Sequence, residues 1–328
     1  MNTKKTTLSV CLITSLLMGC GGSDSSEPEP AKTAMVTFSI ADAPVDSAKE
    51  VNVSYLSLTL KRDGQADIDI PFVNENGVEE VQKINLLDYQ NGDSLVVLSN
   101  IELPVGTYQE LIINTAGCPQ NQNGATDACY VVEDDDAILP LKTPSNKLRL
   151  GSFSVSTEGV QAYTIDFNLR KSLVSTANGQ SYNLKPHGVT IIDSATVGAI
   201  KGTVDPNLFS AGTCAADMGN VVYLYQAPVA QDSVLGDEFD PDIDSSAPTN
   251  VIAPYASKMI TLSDTANEYI YSFNHLPSGD YLVAFSCSAN DDDPEQYDAI
   301  LIADPTDQTH SVTLQQGELA TVNFVEVI

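Results

Sequence analysis

Asp240-Pro241-Asp242-Ile243-Asp244 sets three carboxylates at alternate positions of one short segment. Hard cations such as calcium take oxygen ligands from several side chains at once, and alternating acids are one way for a loop to offer them. The glycine and the distal glutamate of a helix-loop-helix calcium site are missing, which leaves Asp240, Asp242 and Asp244 as a bare candidate calcium set. Glu133-Asp134-Asp135-Asp136 and Asp291-Asp292-Asp293 are comparable clusters. Like charges this close either hold a cation or stay in water, and the leading expectation is that all three clusters are solvated loops. His187, His275 and His310 occur singly beside strand or turn patterns and read as structural. No nucleophile elbow, zinc-protease helix, phosphate-binding glycine loop or dinucleotide fingerprint occurs, so no catalytic residue is nominated. The remaining enzymatic alternative is a glycoside hydrolase working through paired carboxylates.

Covalent chemistry has a clearer place. Lys4 and Lys5 precede an apolar run from Leu8 to Met18, which ends at Leu17-Met18-Gly19-Cys20. A membrane-crossing helix needs about 20 apolar residues, so this shorter run with a charged front and small-residue end reads as a cleaved export signal, residues 1–19. Leu-Met-Gly-Cys resembles the bacterial lipobox. That resemblance implies cleavage before Cys20, acylation of its thiol and amino group, and an anchor in the membrane, since several acyl chains hold where one does not. Gly21 differs from the aspartate that resembles an inner-membrane retention signal, which favours the outer membrane.

Cys11 leaves with the signal and Cys20 carries lipid, so Cys118, Cys129, Cys214 and Cys287 remain, an even number falling in two regional pairs. Both pairs are expected as disulfides in an oxidising compartment. On the chain-entropy model the Cys118–Cys129 loop contributes roughly 3 kcal/mol, and Cys214–Cys287, closing a loop about six times longer, roughly 4.5 kcal/mol. Metal ligation is a poorer reading, with no CxxC and no paired histidines.

Charge bounds the partners. Lys and Arg number 15 against 44 Asp and Glu, a net charge of −29 that grows more negative once Lys4 and Lys5 are removed. Nucleic-acid binding needs clustered cations and is excluded; anionic membrane surfaces are equally unattractive, so lipid does the anchoring. Solubility in a salty medium is the plain explanation of the acidity, with a cationic partner as the alternative. Thirteen tyrosines could stack on sugars, but Trp is absent, and Tyr223, Tyr225, Tyr269, Tyr271 and Tyr281 sit at strand positions that suit a core role.

The elements that must position these residues are strands. Residues 20–33 lack apolar periodicity and read as a flexible tether. Short β-type runs follow at 35–40, 50–60, 68–73, 106–115, 163–168 and 182–192, with no long amphipathic helix. Val51, Val53 and Tyr55 alternate on one face while Leu56, Leu58 and Leu60 continue on the other, which predicts a central strand, buried on both faces or bulged. Asn91-Gly92 and Asn178-Gly179 read as turns. A second series runs through 197–204, 221–225, 269–273, 279–286, 299–302, 310–314 and 320–327. Residues 228–256, rich in Asp, Pro and Ser, read as a long surface loop. The whole is all-β: two consecutive β-sandwich domains, 34–196 and 197–328.

Phe38-Ser39-Ile40-Ala41-Asp42-Ala43-Pro44, Asn85-Leu86-Leu87-Asp88-Tyr89-Gln90-Asn91-Gly92, Leu103-Pro104-Val105-Gly106-Thr107-Tyr108, Lys171-Ser172-Leu173-Val174 and Tyr182-Asn183-Leu184-Lys185-Pro186 together resemble an exported bacterial domain, domain of unknown function 4382. The resemblance covers about 34–196 and implies no activity or site residues; the Cys-bracketed loop looks like a local insertion. The second region is similar to the carboxypeptidase regulatory-like, transthyretin-type modules through Gly198-Ala199-Ile200-Lys201-Gly202-Thr203-Val204 and Leu276-Pro277-Ser278-Gly279-Asp280-Tyr281. That implies an immunoglobulin-like or prealbumin-like, non-catalytic sandwich. Leu-Pro-x-Gly-x-Tyr recurs in both regions. The expected function is a non-catalytic cell-envelope lipoprotein that recognises a protein or polysaccharide, periplasmic or surface-facing, with a calcium-assisted adhesin as the alternative.

Overall fold

Val51, Val53 and Tyr55 can share a core with Leu58 and Leu60 only if one residue between them is extra, because side chains alternate strictly along a strand. A computed structural model describes residues 32–43, 48–74, 76–90, 92–118, 126–156, 159–211, 214, 219–263 and 266–326. The signal segment, Cys20 and nearly all of the tether lie outside the described residues, as does Asn91 of one predicted turn.

The first strands are β1 (Thr33–Ala43), β2 (Ala48–Lys61), β3 (Ile68–Pro71), β4 (Gln82–Asn85) and β5 (Leu95–Pro104). Then come β6 (Gly106–Tyr108), β7 (Glu110–Thr115), β8 (Tyr130–Glu133), β9 (Ile138–Lys142), β10 (Lys147–Arg149) and β11 (Phe153–Val155). β12 (Val160–Asn168) passes through a single helical turn, α1 (Leu169–Ser172), into β13 (Leu173–Thr176), β14 (Ser181–Leu184) and β15 (Val189–Asp193). One sheet has the order β15-β12-β1-β5. It faces a larger one, β10-β7-β2-β8-β9-β14-β13, with β3 and β4 also on β2. β2 is central, as its pattern predicts. Its register against β7 steps from Tyr55↔Thr115 to Ser57↔Asn114, so Leu56 is the bulged residue and is 46% exposed. Val51, Val53, Tyr55, Leu58 and Leu60 all reach the core.

The second series comprises β16 (Val197–Thr203), β17 (Val221–Gln226), β18 (Val234–Leu235), β19 (Val251–Ile252) and β20 (Ala256–Met259). It continues with β21 (Thr261–Leu262), β22 (Tyr269–Pro277), β23 (Gly279–Ser286), β24 (Thr309–Leu314) and β25 (Leu319–Thr321). Sheets β21-β22-β16-β25 and β20-β17-β23-β24 enclose Ile200, Phe273, Val222, Val283 and Phe285. The fold is therefore all-β and built of sandwiches.

Several expectations need correction. The run at 182–192 is two strands, because Pro186 and Gly188 interrupt the ladder. Residues 299–302 form no strand, and β8 to β11 were too short to show a period. The segment 228–256 is no surface loop. With residues 287–302 it covers the outer face of β17 and β23, where Val221, Tyr223, Tyr225 and Ala284 form a further core with Leu235, Ile252 and Ile300. Tyr223, Tyr225, Tyr271 and Tyr281 are all buried.

Both expected disulfides are formed, Cys118–Cys129 and Cys214–Cys287. The repeated Leu-Pro-x-Gly-x-Tyr segments make the same local structure. Tyr108 Oη donates to the Pro104 carbonyl at 2.8 Å and Tyr281 Oη to Pro277 at 2.7 Å, with both rings buried. Each is a tyrosine corner, fixing a strand entry in its own sandwich.

Removing either hydroxyl takes a hydrogen bond from a part-buried carbonyl, so Tyr108→Phe and Tyr281→Phe are each expected to lower unfolding stability by about 1 kcal/mol. Urea midpoints check this; unchanged midpoints in both variants would show that the corners do not hold their sandwiches.

Candidate functional site

Arg170 and Lys171 are scarce cations in this acidic chain, and the local fold aims them away from their own sandwich. β12 ends at Asn168, whose carbonyl accepts from Ser172 Oγ at 2.8 Å, closing α1. Leu169 is fully buried and pins the turn to the core. Gly188, at φ +85°, packs against this turn, where an added Cβ would meet Lys171 and the Asn168 carbonyl.

Beyond the turn lie the two covering segments of the second sandwich. Arg170 donates to Asp292 Oδ2 at 3.0 Å and to the Ala289 carbonyl at 3.3 Å. Asp292 also accepts from Tyr223 Oη at 2.7 Å and from the Glu238 amide at 3.1 Å, with its side chain only 1% exposed. Lys171 donates to the Pro254 carbonyl at 2.8 Å and pairs with buried Glu238 at 3.8 Å. Lys185 pairs with Glu295, and His187 Nδ1 lies 3.8 Å from Asp240. His275 crosses in the opposite sense, 3.6 Å from Asp166.

Burial governs the protonation of these groups. It raises the carboxyls of Asp292 and Glu238 despite Arg170 and Lys171, because desolvation outweighs the attraction of a single cation. Asp237 is pushed up to about 7, first by burial and then by Asp292 and Asp298. Burial also lowers His187 and Lys185.

The candidate calcium residues take other roles. Asp240 Oδ1 accepts from the Asp242 amide at 3.0 Å. Asp244 accepts from the Ser246 amide at 2.9 Å and from the Tyr297 amide at 2.9 Å. Asp242 is exposed, and the three carboxylates do not converge. Among the described residues, the only three ligand atoms within 4.8 Å of one another belong to Cys214, Cys287 and Asp304, and that pair of sulfurs is the disulfide. The expectation of solvated acidic loops is overturned for Asp240, Asp244 and Asp292, which are buried. Asp136 does remain exposed, paired with Lys49.

An open groove of about 460 Å³ runs along the seam, lined by Arg149, Lys185, His187, Asp240, Asp242 and Ile243. It presents mixed charge with an apolar patch, a surface able to hydrogen-bond hydroxyls or a peptide backbone. The sequence held one sign of the junction, the adjacent Arg170-Lys171 at a strand end in a chain where cations are outnumbered. Its acidic partners are too distant in sequence to be paired by inspection.

Residues 33–186 match the model of a family described as a domain of unknown function, DUF4382. No curated protein matches the chain. Among solved structures it is similar to the Bacillus anthracis TIE protein, at 10% identity and a TM-score of 0.19, over 89% of this chain and 33% of that one. The chain thus spans about a third of that protein. A candidate cell adhesion protein from Bacteroides eggerthii matches at 11% identity and a TM-score of 0.22, covering 90% of this chain and all of its own. The major pilin from Streptococcus pyogenes matches at 12% identity and a TM-score of 0.15, over 89% of this chain and 97% of the pilin.

Arg170→Met leaves Asp292 buried without its cation, and a loss of about 3–5 kcal/mol is expected. Combining Arg170→Met with Asp292→Asn should recover part of that loss in a double-mutant cycle followed by urea unfolding. Strictly additive losses would mean that the pair is not coupled.

Proposed function

We propose that this chain is a non-catalytic lipoprotein of the bacterial cell envelope that recognises a protein or polysaccharide partner through the seam between its two sandwiches. Acyl chains on Cys20 hold it at the outer membrane, and residues 21–33 give it reach. The N-terminal sandwich is the family domain, and the C-terminal one serves as a carboxypeptidase regulatory-like display module.

The observation that carries this reading is the junction itself. Arg170 and Asp292, with Tyr223 and the Glu238 amide, form a bonded set inside the molecule. Perturbed carboxyls can mark catalysis, but structural ion-pair networks perturb them as well. Here Asp292 and Asp237 are engaged by backbone amides, the work of architecture. A fixed seam holds its groove in one shape, which lowers the ordering cost of binding. The side chains left open along it, Asp242 and Ile243 above all, suit a hydroxyl-rich or peptide surface better than an anionic one.

Two measurements on cells test this. Cys20→Ser should release the protein from the membrane fraction. A photo-crosslinker at Asp242 should capture a polysaccharide or envelope protein, while one at Asp69, away from the seam, should not. Unaltered fractionation would remove the anchor from the proposal, and identical crosslinks from both positions would remove the seam. A midpoint raised by calcium and abolished by Asp242→Asn would favour calcium-assisted adhesion instead.

A further inference from the structure

We propose that the two segments covering the second sandwich are closed on one another by a proton-dependent latch centred on Asp237, tighter in acidic surroundings and loosened as the pH rises to neutrality. The geometry that suggests it is an imbalance of charge. Asp237, Glu238, Asp240, Asp244, Asp292 and Glu295 lie on the two covering segments, all but Glu295 of them buried. Facing them from the N-terminal sandwich are Arg170, Lys171, Lys185 and His187. Carboxylates in dry surroundings without a matching cation favour the protonated form.

Asp237 is where the excess concentrates. It has no exposed surface and ties one covering segment to the other, accepting from the Ile300 amide at 2.7 Å. The charged groups that act on it from the second segment are Asp292 and Asp298, both acids. On its remaining sides are Tyr297, and Tyr225, whose hydroxyl donates to the Gly236 carbonyl at 2.5 Å. Arg170 bonds Asp292 on the far side of this group. Glu238, next along the chain, has Lys171 at 3.8 Å, too long for a hydrogen bond.

The direction follows by linkage. The closed segments keep a proton on Asp237 up to about pH 7, whereas opened segments in water release it near the ordinary carboxyl value of 3.8. Opening is therefore favoured progressively as pH rises from about 4 to about 7 and gains little further above that. His187 runs the other way: burial lowers it, so opening that frees it takes up a proton below the ordinary 6.5 and opposes the effect of Asp237.

Hydrogen exchange of the full chain, corrected for the intrinsic pH dependence of exchange, reads this opening directly. Peptides covering 236–247 and 288–300 should open several-fold more at pH 8 than at pH 6, up to the roughly tenfold limit set by one group titrating near 7, with His187 subtracting from it. Peptides of β2 should not change. In Asp237→Asn the ratio should fall to one or below, because His187 alone then sets it. A ratio near one in the unaltered chain, a several-fold change retained in Asp237→Asn, or an equal change in β2 would each overturn the proposal. Should Asp237→Asn fail to fold, Asp298→Asn decides, because removing that neighbouring charge must move the transition to lower pH; an unmoved transition would overturn the latch as well.

Discussion

A carboxylate taken out of water must be met by donors in fixed places, and Asp292 is the point where this constraint binds the molecule together. Its donors come from three parts of the chain: Arg170 on α1, Tyr223 on β17 and the Glu238 amide of a covering segment, separated from it by 122, 69 and 54 residues. None of the three can shift without exposing a buried charge. A buried ion pair is a weak source of net stability, because desolvation consumes most of the attraction. What Asp292 supplies is uniqueness: one arrangement of the sandwiches satisfies it, and sliding past that arrangement does not.

The same requirement explains why these segments are acidic. Segments 228–256 and 287–302 cover one face of a sheet yet contain little strand of their own, so their amides lack ladder partners. Aspartate fills the gap. Asp237 takes the Ile300 amide, Asp244 those of Ser246 and Tyr297, and Asp298 that of Asp293. Short side chains that bond nearby backbone can replace regular secondary structure in this way. Part of the chain's negative charge is thus interior scaffolding.

Features written in local sequence were legible. The face change between Tyr55 and Leu58 left a strand buried on both faces or bulged, and the bulge at Leu56 is the form it takes; the recurring Leu-Pro-x-Gly-x-Tyr marks two equivalent corners, in which hydroxyl and acceptor lie four residues apart. The cysteine pairing followed from region. What could not be read was burial imposed from far away. Asp240 and Asp292 look like solvated acids in their own segments, and groups more than fifty residues distant, His187 for the first and Arg170, Tyr223 and the Glu238 amide for the second, give them an interior place. Residues 299–302 have the apolar character of a strand because they cover a core, yet the aspartate at 237 holds the Ile300 amide and no ladder forms. The groove was invisible for the same reason, since its walls come from both halves of the sequence.

β1 begins directly after Lys32, in the interior of its sheet, parallel to β12 from Met35↔Val160 to Ala43↔Asn168 and antiparallel to β5 on its other side. A pull on the preceding segment therefore runs along the strand axis, across two ladders at once. Hydrogen bonds loaded in this way must fail together as a shear, whereas a strand drawn sideways from an edge peels one bond at a time. The chain enters its fold through a mechanically strong port, able to carry tension without first unravelling.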